Sequence, residues 1–112
     1  MTVTKTLEGK TLTVSIDGRL DTLSSPQLEK ALEPGLEGLQ SLIFDMTGLL
    51  YISSAGFRVL MNALQAMEAQ NGEMAVVNVS ESMREIFNIT GLTDVLGVEF
   101  AKSGAVSRKD GP

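Results

Sequence analysis

Between Leu42 and Leu60 the chain changes its hydrophobic period, and that change restricts it to folds in which a buried strand leads through a turn into a helix. Leu42–Ile43–Phe44 is a short apolar run of the kind found in the middle of a sheet, whereas Phe57, Leu60, Met61, Leu64 and Met67 recur at helical spacing. Ser53 and Ser54 sit where the period switches. A serine hydroxyl there can accept a hydrogen bond from the orphan N–H groups of a first helical turn. The helix dipole also favours negative charge at that end, so the position suits a phosphate.

The same switch recurs along the chain. Thr2–Thr6 and Thr11–Ile16 alternate across the turn Glu8–Gly9–Lys10, which predicts an N-terminal hairpin. The second strand is expected to end at Asp17–Thr22, and Ser25–Pro26 then supplies an N-cap followed by proline at the first helical position. Leu28, Ala31 and Leu32 give this first helix its apolar stripe, and Pro34–Gly35 should end or kink it, leaving Leu36 and Leu39 in a less regular segment. The helix that follows the paired serines should stop at Asn71–Gly72, a left-handed C-cap signature. A third step repeats the pattern: Met74–Val79 as a strand, Ser80 as an N-cap, and a short helix lined by Met83, Ile86 and Phe87 that ends at Thr90–Gly91. One more helical turn over Thr93–Leu96, a final edge strand at Val98–Phe100 and a small, polar tail complete the reading, with one domain over residues 1–100 and a loosely ordered tail over 101–112. The predicted fold class is α/β: a mixed, mostly parallel sheet with an N-terminal hairpin and helices packed on it. In such sheets the ends of the parallel strands and the starts of the following helices share one edge, where ligands and partners bind. Asp21, Ser53, Ser54 and Ser80 all fall on that edge.

Composition removes whole classes of chemistry. The 112 residues are 43% hydrophobic, enough for one core, and carry a formal net charge of −5. Nine dispersed Lys and Arg do not supply the basic surface that nucleic-acid binding needs, so a protein partner with a basic face fits better. No apolar run approaches the roughly 20 residues that cross a bilayer, and the expectation is a soluble, cytoplasmic protein without membrane contact. The absence of histidine removes the usual base of serine hydrolases, and the absence of cysteine removes thiol nucleophiles and thiolate metal sites. The chain is therefore expected to be a binding module and not an enzyme, with no catalytic residue, no cofactor and no metal. Ser54, flanked by the small residues Ala55 and Gly56, can be a regulated phosphoacceptor or an ordinary N-cap, and both readings fit its position. Asp21 can be a turn-forming carboxylate or one exposed in a loop and displayed beside the serines to a partner. The stripe Met61–Leu64–Met67 is core.

The motifs Gly18–Arg19–Leu20–Asp21, Phe44–Asp45, Tyr51–Ile52–Ser53–Ser54–Ala55–Gly56–Phe57–Arg58–Val59–Leu60, Gly72–Glu73–Met74 and Ile86–Phe87–Asn88–Ile89–Thr90–Gly91–Leu92 resemble, in order and spacing, the STAS-domain anti-sigma factor antagonists. The resemblance runs from about Thr4 to Phe100. It implies partner switching: an unphosphorylated antagonist binds an anti-sigma factor that is also a serine kinase and so frees a sigma factor. Phosphorylation ends the binding, and a phosphatase restores it. Carried onto this chain, the phosphorylated serine falls on Ser54 and the acidic loop residue on Asp21, within a partner-binding set of Asp21, Ser53, Ser54, Ala55 and Gly56. Many members have aspartate before the acceptor where this chain has Ser53, which makes Ser53 the alternative acceptor. Pro34 lies inside what the family pattern makes helix one and implies a local bend. Family breadth leaves room for a weak homodimer, and for an alternative role as an accessory subunit binding the ATPase of an ABC-type phospholipid transporter.

Overall fold

Ten residues, Thr11–Leu20, form the strand on which the sheet is assembled, because they pair with three other strands. The computed structural model describes residues 1–33, 35–89 and 98–100. Strand β1 (Thr2–Glu8) lies antiparallel to β2 (Thr11–Leu20) in a register that runs from Thr2 opposite Asp17 to Glu8 opposite Thr11. The connecting turn places Gly9 at φ 63°, a left-handed conformation that glycine adopts without steric cost. The other partners of β2 are parallel: β3 (Ser41–Asp45) along its first half and β4 (Leu49–Ile52) along its second. Strand β5 (Glu73–Val79) pairs with β3 and β6 (Val98–Phe100) with β5, both parallel, so the main path runs β1-β2-β3-β5-β6. Helices α1 (Ser25–Ala31), α2 (Ser54–Ala69) and α3 (Glu81–Ile89) fill the crossovers.

The register explains the core. Val14, Phe44 and Val76 stand opposite one another across three strands, and all three are fully buried. Alternation puts every second residue of these strands on one face, where α2 covers them with Val59, Leu60, Ala63, Leu64 and Met67. Truncating the central Phe44 to alanine would cost about 3–5 kcal/mol. Of the predicted α2 stripe, Phe57 and Met61 are half-buried at the margin of this cluster. Helix α2 closes as predicted: Asn71 sits at φ 61°, its N–H donates to the Glu68 carbonyl, and the Gly72 N–H donates to that of Met67. This is a Schellman ending with asparagine in the left-handed place. A contact between distant segments ends α1, where Lys5 Nζ donates to the Ala31 carbonyl at 2.7 Å and places a cation on the helix C-terminus.

Strand β2 ends at Leu20, inside the expected span Asp17–Thr22, and the second half of its edge is taken up by β4. Two expectations need correction. That fourth strand, read from sequence as a turn, is a separate four-residue element reached from β3 through Met46–Gly48. A Cβ at Gly48 would overlap the exposed Asp17 carboxylate, which would have to turn aside, and the Gly18 N–H donates to the Gly48 carbonyl at 2.9 Å. Helix α1 starts one residue earlier than expected: Ser24 is the N-cap residue, and Ser25 is already helical and buried, its hydroxyl donating to the Asp21 carbonyl. The helix ends at Ala31, ahead of Pro34. Pro34 itself, the side chains of Ile86 and Phe87, the Thr90–Gly91 stop, the Thr93–Leu96 turn and the tail lie outside the described residues.

Candidate functional site

The predicted edge forms where β2 and β4 end together. The Ser53 N–H donates to the Leu20 carbonyl at 2.9 Å, which fixes the residue after β4 beside the residue after β2 and so brings Ser53 next to Asp21. Helix α2 then starts flush against both strands, because Gly56 has no side chain. A Cβ at that position would come within 2.7 Å of Leu20 Cγ and 2.9 Å of Ile52 Cγ1. Gly56, expected to touch a partner, is therefore buried and seats the helix. Ala55 is half-buried beside it.

The two serines have separate roles. Ser53 is the N-cap: its backbone is extended, and its Oγ accepts from the Gly56 N–H at 3.3 Å. Ser54 is the first helical residue, is exposed, and its hydroxyl has no protein partner among the described residues. The capping reading raised for Ser54 thus belongs to its neighbour, and the Ser54 oxygen is available for chemistry. Ser80, the other serine on the edge, caps α3, accepting from the Met83 N–H at 3.3 Å.

Asp21 is half-buried and engaged, not exposed as expected. Its Oδ1 accepts from the N–H groups of Leu23 and Ser24, both at 3.1 Å, and from the Ser24 hydroxyl at 3.0 Å. These bonds, the Ser24 N–H foremost and its hydroxyl next, hold the carboxyl below its ordinary value. Its Oδ2 faces Arg19, with Nε 3.9 Å away, and the Arg19 guanidinium lies 4.4 Å from the centre of the Tyr51 ring.

Two residues on these segments escaped the sequence reading. Leu23, in the Asp21 loop, is 91% exposed, and Leu50, on β4, is 73% exposed. The signal for Leu23 was a lone leucine inside the polar run Thr22–Ser25. For Leu50 there was none, because its exposure follows from a register shift that sets Gly18 opposite Leu49 and Arg19 opposite Tyr51, leaving Leu50 as the extra residue. A second acidic centre lies at the end of β3. Asp45 Oδ1 accepts from the Thr47 hydroxyl at 2.6 Å, the Thr47 N–H at 3.0 Å and Asn78 Nδ2 at 3.1 Å. Asn78 reaches it from a left-handed conformation, φ 60°, inside β5. Burial is the largest influence on the Asp45 carboxyl and pushes it up, but the Thr47 and Asn78 bonds together outweigh it and leave it lowered. Among the described residues no helix is long and apolar enough to cross a membrane.

Comparison with known proteins agrees with this arrangement. The chain is 30% identical over 93 residues to the anti-sigma-B factor antagonist of Bacillus subtilis, covering 83% of this chain and 85% of that protein. Its backbone is similar to a crystal structure of an anti-sigma factor antagonist from Mycobacterium paratuberculosis, with a TM-score of 0.77, 21% identity, and coverage of 88% of this chain and 84% of that one. It is similar also to the Bacillus cell fate determinant SpoIIAA solved in its phosphorylated form, with a TM-score of 0.71, 19% identity, and coverage of 90% and 92%. The STAS domain model matches residues 2–104, which take in every described strand and helix, and the chain belongs to the STAS domain family.

Proposed function

We propose that this chain is an anti-sigma factor antagonist of the partner-switching kind, a regulatory binding protein and not an enzyme. In the unphosphorylated state it binds an anti-sigma factor with serine kinase activity through the edge that carries Asp21, Leu23, Ser54 and Ala55. Phosphorylation of Ser54 ends that binding, a phosphatase restores it, and the chain acts in the cytoplasm without touching nucleic acid. The observation that carries the reading is the division of labour between the serines. Ser53 holds the helix cap, so Ser54 can take a phosphate without giving up a bond that the fold uses. Of the two acceptors considered, this favours Ser54. The phosphate would bring about −1.5 to −2 charges to a surface that is already acidic overall. Buried against a partner without a matching cation, it would cost several kcal/mol. A STAS relative solved in a phosphorylated form supports the same reading, and the names of the matched relatives favour an antagonist over a transporter subunit.

Phosphopeptide mapping after treatment with the anti-sigma kinase, combined with affinity measurements before and after, tests it. Label on Ser54 with loss of binding is expected. Label confined to Ser53, or full label on Ser54 with unchanged affinity, refutes the switch as described.

A further inference from the structure

Helix α2 carries its charges the wrong way round. A helix favours anions in its first turn and cations in its last, yet α2 has no acidic residue in its first turn and no basic one in its last. Instead Arg58 lies near the N-terminal end and Glu68 near the C-terminal end. Arg58 is exposed and makes no ion pair among the described residues. It stands four residues after Ser54, and both belong to the solvent-facing stripe Ser54, Arg58, Asn62. Side chains four apart on a helix are neighbours, about 5–6 Å between Cβ atoms, and an anion on the N-terminal side of the cation is the favourable order. Arg19, a second cation near this edge, is already taken up by the Tyr51 ring and Asp21, and Arg84 at the start of α3 lies 3.7 Å from Glu81.

We propose that Arg58 is the built-in counter-ion of a phosphate on Ser54, an inference that rests on Ser54 being the acceptor. Before modification Arg58 is a cation at an unfavourable place with no ion-pair partner among the described residues. After modification the guanidinium folds back one turn and donates two N–H groups to the phosphate oxygens, the bidentate geometry that arginine supplies and lysine does not. The modification therefore changes two surface features at once. It adds an anion at Ser54 and withdraws the Arg58 side chain from solvent, and the phosphorylated helix becomes the better-ordered one.

The test uses the full chain with phosphoserine installed at position 54 by genetic-code expansion, in three forms: unaltered, Arg58→Gln and Arg58→Lys. Phosphorus-31 NMR titration reads the second phosphate ionisation, near pH 6 for phosphoserine. It is expected to be lower in the unaltered protein than in Arg58→Gln by roughly 0.15–0.4 pH units, the size of an i,i+4 charge pair, with Arg58→Lys recovering part of the difference. Urea unfolding of modified and unmodified proteins completes a cycle. Arg58→Gln should leave the midpoint unchanged or raise it without the phosphate and lower it with the phosphate, a reversal of sign that a purely structural role does not produce. Equal phosphate ionisation in the unaltered and Arg58→Gln proteins, or an Arg58→Gln effect of the same sign with and without phosphate, overturns the pairing. Because the phosphoserine is incorporated during translation and without the kinase, a kinase that labels another residue refutes the functional reading above while the titration still decides the role of Arg58.

Discussion

Asp21 and Asp45 end two neighbouring parallel strands, and each accepts three hydrogen bonds through a single oxygen, yet they do different things. All the donors to Asp21 lie within three residues of it, so the carboxylate shapes one loop and the fold beyond that loop does not depend on it. Asp45 takes its third donor from Asn78, 33 residues away on β5, and that bond ties two strands together at the point where β5 leaves regular geometry. A local bond set leaves a surface that can change its partners, whereas a long-range set makes a joint. The proposed switch edge is built from the first kind and the sheet end from the second.

The largest effect that would separate the two regions is on binding. Ser54→Asp places a permanent charge at the switch and should weaken binding to the anti-sigma partner by a hundredfold or more, as about 3 kcal/mol does. Asp45→Asn should leave that affinity unchanged. Equal losses from both, in titration calorimetry, would mean that the interface spans the whole sheet edge. Stability should show the reverse order. Asp45→Ala leaves the Thr47 N–H and the Asn78 amide without their acceptor and should cost about 2 kcal/mol in urea unfolding. Asp21→Ala should lower the unfolding midpoint by less while weakening the partner complex about tenfold, as loss of a charged interface contact does.

Acid separates them more finely. Both carboxyls are lowered by the fold from an ordinary value of 3.8, so the stability they contribute is fully present above that pH and is lost as pH falls through their folded values. Unfolding midpoints followed from pH 6 to pH 2 should therefore fall below about pH 4, and Asp45→Asn should flatten that fall. A profile that Asp45→Asn leaves unaltered would assign the acid sensitivity elsewhere. The smallest effect is at Leu23, where Leu23→Ser should shift stability by no more than about 0.5 kcal/mol and show itself only in partner affinity.

Much of this was legible because it depends on neighbours in sequence. The hairpin turn at Gly9, the left-handed ending at Asn71–Gly72 and the Ser80 cap are short-range signals, and the structure has each where the residues placed it. The edge that gathers Asp21, Ser53 and Ser54 was legible too, since parallel strands followed by helices share one end. What was not legible depends on distant partners. Leu49–Ile52 has neither alternation nor length, and it is a strand only because the far half of β2 offers it a ladder. Lys5 reads as an exposed strand residue until the end of α1 arrives beside it. The half-burial of Asp21 and the assignment of the cap to Ser53 turn on a one-residue offset in where each helix begins, finer than periodicity resolves.

The triple pairing of β2 has a consequence for which changes in length the chain can absorb. A residue inserted between Thr11 and Leu20 would shift one half of the strand against the other by a single step. Either Val14 and Ile16 would turn away from the helices, or Leu20 would leave the carbonyl position that receives Ser53. No compensating deletion within one partner repairs both, because β1 and β3 read the first part of the same ruler and β4 reads the last. Within the connection between Ala31 and Ser41, Leu36 is buried and Gln70 Nε2 donates to the Leu36 and Leu39 carbonyls, but its described residues carry no strand register, and Gly35 and Gly38 bend it through left-handed conformations. Length variation among descendants of this sequence should therefore collect in that connection, and the lengths of the Thr11–Leu20 strand and of the stretch from Ser41 to Ser54 should stay fixed while side chains around them change.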